Sequence, residues 1–348
     1  MEQEPPLELT EHNVESYFIQ TVLPHLPDGT TFVDALEVTE LTFVNWVFAV
    51  TLQGEMQDPT RLFLKQSRNH IKIYEDMQRP AERIETEAKV ITFLNTVIPG
   101  TVPEIVYFDR PNHTLALTDI QRHGSQMFSE LRAGRAYPEA GKDLGTSIGN
   151  LQIATLGMTR ADILGDEPTE ADSSMSAGLT FRAKPAQETY PELTTEILEN
   201  SDGGPKGFVL ADLSSKNIFI EGHNARFLDF ERTFIGDLAH DPAYLFAHLL
   251  VEIEPEYINQ SIEFIDNFMS GYIAQLNEGL SEVQIERLQN QVVRFLGITL
   301  LHRTRGEYFV IDVGEDKDLW QRRAEAFMQD KESTSVVHAI KSVLDISS

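Results

Sequence analysis

Three oxygen-bearing side chains fall within one short stretch of the 348-residue chain: Asp212, Asn217 and Asp229. An apolar run, Phe208-Val209-Leu210, leads to Asp212, Ser214-Ser215-Lys216 carries the chain to Asn217, and a second apolar run, Ile218-Phe219-Ile220, follows. Short apolar runs bounded by polar loops are expected as buried strands. Gly222-His223-Asn224 gives a turn signal, and the chain returns through Arg226, Phe227 and Leu228 to Asp229. The hairpin so predicted sets two carboxylates and a carboxamide at one end of the structure. Oxygen-only donors suit Mg²⁺, a hard cation that keeps several waters and shares the rest of its shell with substrate phosphates. The blander role of Asp and Asn in such places is turn formation and capping.

The spacing carries a sharper signal. Asp, four residues, Asn, then a hairpin to Asp229-Phe230-Glu231 is the layout of the kinase catalytic loop and its metal-binding Asp. Here the sequence resembles the aminoglycoside phosphotransferase and choline kinase-like family of small-molecule kinases, whose loop usually reads His-Gly-Asp-Leu-x-x-x-Asn, followed by Asp-Phe-Glu or a similar tripeptide. This chain has Leu210-Ala211-Asp212-Leu213, with Leu210 where the family usually has a loop-supporting His. The resemblance implies an α+β, bilobal, protein-kinase-like fold. By the same resemblance, residues 1–122 are expected to form an antiparallel β-sheet, nucleotide-binding lobe, and residues 123–348 a mainly helical catalytic and substrate-binding lobe. It implies ATP and Mg²⁺ as cofactors, Asp212 as the catalytic residue that takes or orients the acceptor's hydroxyl proton, and Asn217 and Asp229 as metal ligands. Only Arg232 to His240 separate Asp229-Phe230-Glu231 from Asp241-Pro242, which opens an apolar helix. That leaves no room for the peptide-docking segment of a protein kinase. Asp at the N-cap and Pro at the first helical position suit a helix start, and Asp241 is expected to cap this helix while bracing the catalytic loop.

Other elements must position these residues. Residues 8–26 read as an amphipathic helix (Val14, Tyr17, Phe18, Val22) stopped by Pro24 and Pro27. Val33 to Val50 reads as two strands around Thr39-Glu40-Leu41-Thr42-Phe43. In the resembling family that turn covers the nucleotide phosphates, and Asn45 follows it; here it lacks the family's glycines. Arg61 to Lys65 reads as a strand, and Ala81 to Leu94 as a helix with a stripe at Ile84, Ala88, Ile91 and Leu94. Glu87 lies beside the stripe, able to pair with Lys65 and hold it on the nucleotide phosphates, with Glu85 as runner-up. Two further strands, 103–108 and 114–120, lead to the expected hinge, where backbone groups from Leu117 through Asp119 and Ile120 would meet adenine and His123-Gly124 marks the exit.

Beyond residue 122 the pattern turns helical. Tyr137 to Leu156 reads as a core helix, and 257–276, 282–309 and 319–344 as three more. Residues 165–207, rich in Asp, Glu, Ser, Thr and Pro, read as a substrate-facing insertion or a surface loop with a short helix near 191–198. His302, Arg303 and Arg305 make a basic cluster suited to an acidic acceptor, to the γ-phosphate or to surface ion pairs, and Glu231 to a second cation or a basic acceptor.

A formal net charge of -27 repels phosphate backbones and anionic lipid, so neither nucleic acid nor a membrane is an expected partner. The same acidity would attract a cationic substrate or serve as a solubilising surface. With no cysteine there is no thiolate chemistry. No apolar run approaches 18 residues, which predicts a soluble, cytoplasmic protein; a small-molecule hydroxyl acceptor is what the resemblance implies. Two rival readings remain: a kinase-shaped nucleotide-binding protein of weak or no activity, and a metal-dependent hydrolase using Asp212 and Asp229.

Overall fold

The computed structural model describes residues 5–39, 42, 44–54, 60–122, 124–165, 178–306 and 316–346. Glu40, Leu41 and Phe43 of the expected phosphate turn, His123, the end of the 282–309 helix and residues 166–177 lie outside them. The described residues form two compact units, one up to Arg122 and one from Gly124.

The first unit is a five-stranded antiparallel sheet of order β1-β2-β3-β7-β6: β1 (Thr31–Glu37), β2 (Trp46–Gln53), β3 (Thr60–Gln66), β6 (Ile105–Asp109) and β7 (Thr114–Thr118). A side hairpin joins β4 (His70–Ile71) to β5 (Tyr74–Gln78). Phe48, Val50 and Leu52 alternate along β2, as Leu62 and Leu64 do along β3, so all face one side of the sheet. Against that side packs α1 (Val14–Tyr17), prolonged by a π-helical turn, Phe18–Val22, with Val14, Tyr17, Phe18 and Val22 buried. Each large side chain so removed from water contributes about 1.5–3 kcal/mol. Gln66 straps the N-terminal segment down: its amide accepts from Leu9 N at 2.8 Å and donates to Leu7 O at 2.8 Å.

The second helix, α2 (Arg83–Val97), presents Ile84, Ala88, Ile91 and Leu94 as its buried stripe. Its first turn is pinned by Arg83, a fully buried guanidinium that donates to the Arg68, Pro80 and Asn45 oxygens at 2.7–2.9 Å.

The second unit begins with β8 (Ser125–Gln126), α3 (Met127–Arg132), α4 (Pro138–Ala154) and α5 (Arg160–Leu164). Two helices follow, α6 (Gly178–Thr189) and α7 (Pro191–Asp202). The part of the acidic 165–207 stretch described here is therefore mostly helical, not loop. Its buried positions, Ala183, Ala186, Thr194 and Ile197, are too few and small to register as a hydrophobic stripe. Next come β9 (Lys206–Val209), β10 (Ile218–Glu221), β11 (Asn224–Phe227) and β12 (Phe234–Asp237). β10 and β11 make the expected hairpin, with β8 on the far side of β10, whereas β9 pairs antiparallel with β12, a strand the sequence reading did not include.

The remaining helices are α8 (His240–Glu252), α9 (Ile258–Leu276), α10 (Glu282–Arg305), α11 (Lys317–Gln329) and α12 (Val336–Val343). The single helix expected over 319–344 is thus two. The break falls where the Asp330 carboxylate accepts from the backbone N–H groups of Glu332 and Ser333, a local turn that competes with helix continuation. α4 lies close against α9 because Gly141, Gly145 and Gly149 recur every four residues on one face. A Cβ at Gly145 would fall on the Phe268 carbonyl oxygen, and one at Gly149 would sit 2.8 Å from Gln275 Cβ. Among the described residues no helix is long and apolar enough to cross a membrane.

Candidate active site

In the first unit, Leu62 and Leu64 face the α1 core, so strand alternation turns Lys65 to the opposite side of the sheet. There its Nζ meets Glu87 Oε1 of α2 at 2.7 Å, with Lys65 9% and Glu87 2% exposed. Glu85, one helical step away, lies on a half-exposed face. Asn45, 5% exposed, accepts from Arg83 Nη2 at 2.7 Å and so ties the start of β2 to the first turn of α2.

Leu117, the first residue of the expected hinge, lies within β7. β7 stays paired through Thr118, with Leu117 opposite Phe63 on one side and Ile105 on the other. A residue flanked by strands on both sides lies inside the sheet; the chain leaves it only at Asp119 and Ile120. The Asp119 carboxylate is engaged, accepting from Arg61 Nε at 2.8 Å and from Gln121 N at 2.7 Å.

In the second unit, Asp212 follows β9 and Asn217 ends a short 3₁₀ turn, Ser215–Asn217. Asn217 Nδ2 donates to the Asp212 carbonyl at 2.9 Å, and Leu228 N donates to the Asn217 carbonyl at 2.9 Å. The first bond spends the amide nitrogen and leaves Asn217 Oδ1 as the atom that can ligate a cation. The second sets Asn217 beside the residue that precedes Asp229. Ala211 (φ 66) and Asp229 (φ 69) both adopt the left-handed conformation, an arrangement that surrounding bonds must enforce.

For Ala211 the enforcing group is Asp241. Its carboxylate accepts from Leu210 N and Ala211 N, both at 2.9 Å, and it is fully buried. This corrects the expected helix start. α8 begins at His240 with Ala239 in the N-cap position, and Asp241 sits in the first turn without capping it. The Asp241 carboxylate is turned to the Leu210-Ala211 backbone, while Asp237 Oδ1 accepts from Ala239 N at 2.8 Å just ahead of the helix. The bracing expected of Asp241 is therefore present without the cap.

A second brace comes from the C-terminal end of α8. Ser215 Oγ donates to Glu252 Oε2, and Glu252 Oε1 lies 2.6 Å from His248 Nδ1, all three side chains being buried. Burial pushes the His248 imidazole below its ordinary value, with Arg303 pushing the same way.

Around Asp212 gathers positive charge. Arg182 of α6 donates through Nη1 to the Ala211 carbonyl and holds Nη2 3.6 Å from Asp212 Oδ1. Its guanidinium carbon stands 4.1 Å from the Tyr244 ring centre, and that of Arg303 from α10 stands 5.7 Å from the same ring. Burial alone would raise the Asp212 carboxyl; Arg232, then Arg182 and Arg303, outweigh it and hold it below the usual carboxylate range. Asp212 is therefore ionised at neutral pH and can accept a hydrogen bond from a hydroxyl. Of the basic cluster expected at residues 302–305, His302 and Arg303 are buried, while Arg305 pairs with Asp318 at 2.7 Å. Glu231 is buried beside Arg232, whose charge its carboxylate supports.

The profile of the phosphotransferase enzyme family (APH) matches residues 54–282, a span that takes in Lys65, Glu87 and the whole Asp212 to Asp241 stretch. The chain belongs to this family. Among solved structures, a choline kinase from Cryptosporidium parvum shares the fold at TM-score 0.53 and 13% identity, over 95% of this chain and 94% of that one. A Plasmodium vivax ethanolamine kinase does so at TM-score 0.51 and 14% identity, over 96% and 86%. An amicoumacin kinase, solved with AMP-PNP and Ca²⁺, gives 0.50 and 15%, over 95% and 100%. The fold is thus that of the protein-kinase-like small-molecule kinases. No curated protein matches the sequence significantly.

Sequence reasoning missed Arg182, Arg232, Tyr244, Ser215, His248 and Glu252. His248 and Glu252 carried a usable signal, two polar residues four apart in an otherwise apolar helix. Arg182 carried none, since its helix is short of apolar periodicity and nothing local ties it to Asp212.

Proposed function

We propose that this protein transfers the γ-phosphoryl group of ATP to a hydroxyl of a small molecule in a Mg²⁺-dependent reaction. Residues 1–122 would bind the nucleotide, and residues 123–348 would bind the acceptor and carry the catalytic loop. The observation that supports this reading best is the loop itself: Asp212, ionised and held at a strained turn by Asp241, with Asn217 and Asp229 linked through Leu228. The donor set is all oxygen, which fits a hard divalent cation. When bound, Mg²⁺ supplies charge neutralisation at the β- and γ-phosphoryl oxygens.

The chain's own residues do the rest. Lys65, kept in place by Glu87, would hold the α- and β-phosphates, and the backbone of Asp119 and Ile120 would meet adenine. Asn45, tied to the first turn of α2 by Arg83, would be a further nucleotide-binding residue. Asp212 would accept the hydrogen bond of the acceptor hydroxyl and so orient its lone pair towards phosphorus. With its basicity lowered by three arginines, Asp212 acts more by positioning than by proton abstraction, as suits a loose phosphoryl-transfer transition state. We place the reaction in the cytoplasm, where ATP is supplied, and the formal net charge of -27 sets the surface against nucleic acid and anionic membranes.

Mg-ATP should raise the melting temperature by mass action, with about 2.7 kcal/mol of stabilisation at a hundredfold excess over Kd, and ADP should appear when an acceptor is added. No shift at millimolar Mg-ATP overturns the proposal. A shift that needs Asp229 but leads to no transfer with any acceptor supports the nucleotide-binding protein instead.

A further inference from the structure

Acceptors that are cations would need carboxylates or aromatic faces around Asp212, and the chain, with 55 acidic residues against 28 basic ones, has acid to spare. The second unit does the opposite there. Two guanidinium groups are buried next to Asp212: Arg182 is 6% and Arg303 5% exposed. Burying an arginine is costly unless a counter-charge or a full set of acceptors satisfies it, and these two are under-supplied. Arg182 Nη2 stands 3.6 Å from Asp212 Oδ1, too far to count as a hydrogen bond, and it and Arg303 Nε have no hydrogen-bond partner among the described residues. Of the nearby carboxylates, Glu252 has both oxygens hydrogen-bonded to Ser215 and His248 and acts on Arg303 by charge alone, whereas Asp212 is the carboxylate on which both arginines act.

Both guanidinium groups stack over Tyr244, at 4.1 Å and 5.7 Å from its ring centre. Stacking on one ring holds them near each other without supplying acceptors for their N–H groups. Planar guanidinium forks so held, with donors unspent, match the oxygens of a carboxylate or phosphate. Arg232 is a separate case: its charge is supported by Asp212 and also by Glu231 and Asp229, so it is not short of counter-charge. In an in-line transfer the acceptor and the leaving nucleotide lie on opposite sides of phosphorus, so a molecule bonded through its hydroxyl to Asp212 brings its neighbouring atoms to Arg182 and Arg303.

Resting on the phosphotransferase reading above, we propose that the acceptor is an anionic hydroxyl compound, with a carboxylate or phosphate ester close to the hydroxyl that is phosphorylated, and that Arg182 and Arg303 bind this oxyanion. The acidic surface then plays no part in capturing the acceptor; the local charge at the site is opposite to that of the whole chain.

The test uses four small probes that differ in charge: glycerate, glycerol 3-phosphate, glycerol and choline. Each is titrated against the full-length protein at fixed ionic strength, with melting temperature and ADP release in the presence of Mg-ATP as readouts. Glycerate or glycerol 3-phosphate should raise the melting temperature where glycerol and choline do not, and which of the two does so separates carboxylate from phosphate ester. Arg303→Met should abolish that rise and increase KM for the anionic acceptor by ~10²-fold, the worth of losing a charged hydrogen-bonding partner, with kcat changed less. Arg303→Lys, which keeps the charge, should recover part of the loss and guards against misfolding of the Met variant.

The inference is overturned if neither anion shifts the wild-type protein, if the shift survives in Arg303→Met, or if choline or glycerol is the better acceptor. It is also overturned if Arg303→Met weakens the Mg-ATP shift alone, which would assign the arginine to the nucleotide. The Mg-ATP shift, measured without acceptor, separates these results from failure of the phosphotransferase reading: anion binding lost in Arg303→Met with no response to Mg-ATP would keep the oxyanion site and discard the reaction.

Discussion

Replacing Asp241 by alanine leaves the backbone N–H groups of Leu210 and Ala211 buried and unpaired, because the carboxylate oxygens are their acceptors at 2.9 Å. An orphaned buried donor costs about 1–3 kcal/mol, so the two together predict a loss of about 2–6 kcal/mol. The loss depends on pH in a definite direction. Burial pushes the Asp241 carboxyl up to about 6, against the pull of its two backbone donors. For an acid whose folded value lies above the unfolded ~3.9, the linked stability is fully present below the unfolded value and disappears as pH rises through about 6. Wild type should therefore lose roughly 1 kcal/mol of Asp241-linked stability between pH 5 and pH 7 that the alanine variant does not lose. The gap between the two proteins should narrow by that amount. Urea unfolding at both pH values measures it. Freed from Asp241, Ala211 no longer has to keep φ 66, and the displaced Asp212 should lower kcat by ~10²-fold. If Asp241→Ala unfolds at the wild-type urea midpoint at pH 5, or the gap widens towards pH 7, the account of this brace is wrong.

Lys65→Met should abolish the Mg-ATP melting shift, and loss of the buried 2.7 Å ion pair to Glu87 should lower stability as well; a variant that keeps the full shift would contradict the place given to Lys65. Gly145→Ala should cost about 2–4 kcal/mol in urea unfolding, since its methyl would fall on the Phe268 carbonyl, whereas Gly54→Ala, with open space around it, should be near neutral; equal effects would refute the close α4–α9 contact. Burial pushes the His240 and His302 imidazoles down to about 3. Stability linked to a base lowered in this way is present above ~6.5 and lost as pH falls below it, about 2 kcal/mol per histidine at pH 5. His240→Phe should flatten the pH 7 to pH 5 decline by its share, and parallel profiles would contradict the assignment.

The strands β2, β3, β6 and β7, the β10–β11 hairpin and the Lys65–Glu87 alignment were legible because each rests on a local period. Alternation along β2 and β3 fixes which face Lys65 takes, and a 3.6-residue stripe fixes the face of α2 beside Glu87. The Asp212-Asn217-Asp229 spacing was equally readable, since a two-residue turn leaves a hairpin little freedom. What the sequence hid is non-local. Nothing near Arg182 says that it will stack on Tyr244, 62 positions later, or bond the Ala211 carbonyl. The end of the sheet at Thr118 depends on partners in β3 and β6, so the stretch expected to meet adenine was begun inside β7. Asp241 looked like a cap because Asp before Pro is a common helix start, and only the fold shows its carboxylate turned to β9. The division of 319–344 turned on a polar side chain, Asp330, bonding its own backbone, a competition that apolar periodicity does not report.

The central claim is that Asp212 serves the acceptor and Asp229 the metal and nucleotide. Calorimetric titration of Mg-ATP into wild type, Asp212→Asn and Asp229→Asn tests it most directly. Asp212→Asn should bind Mg-ATP as wild type does while its phosphoryl transfer falls by roughly 10²–10⁴-fold, and Asp229→Asn should lose the Mg²⁺-dependent part of the binding. Equal loss of Mg-ATP binding in both variants, or no loss in either, would contradict the division of roles.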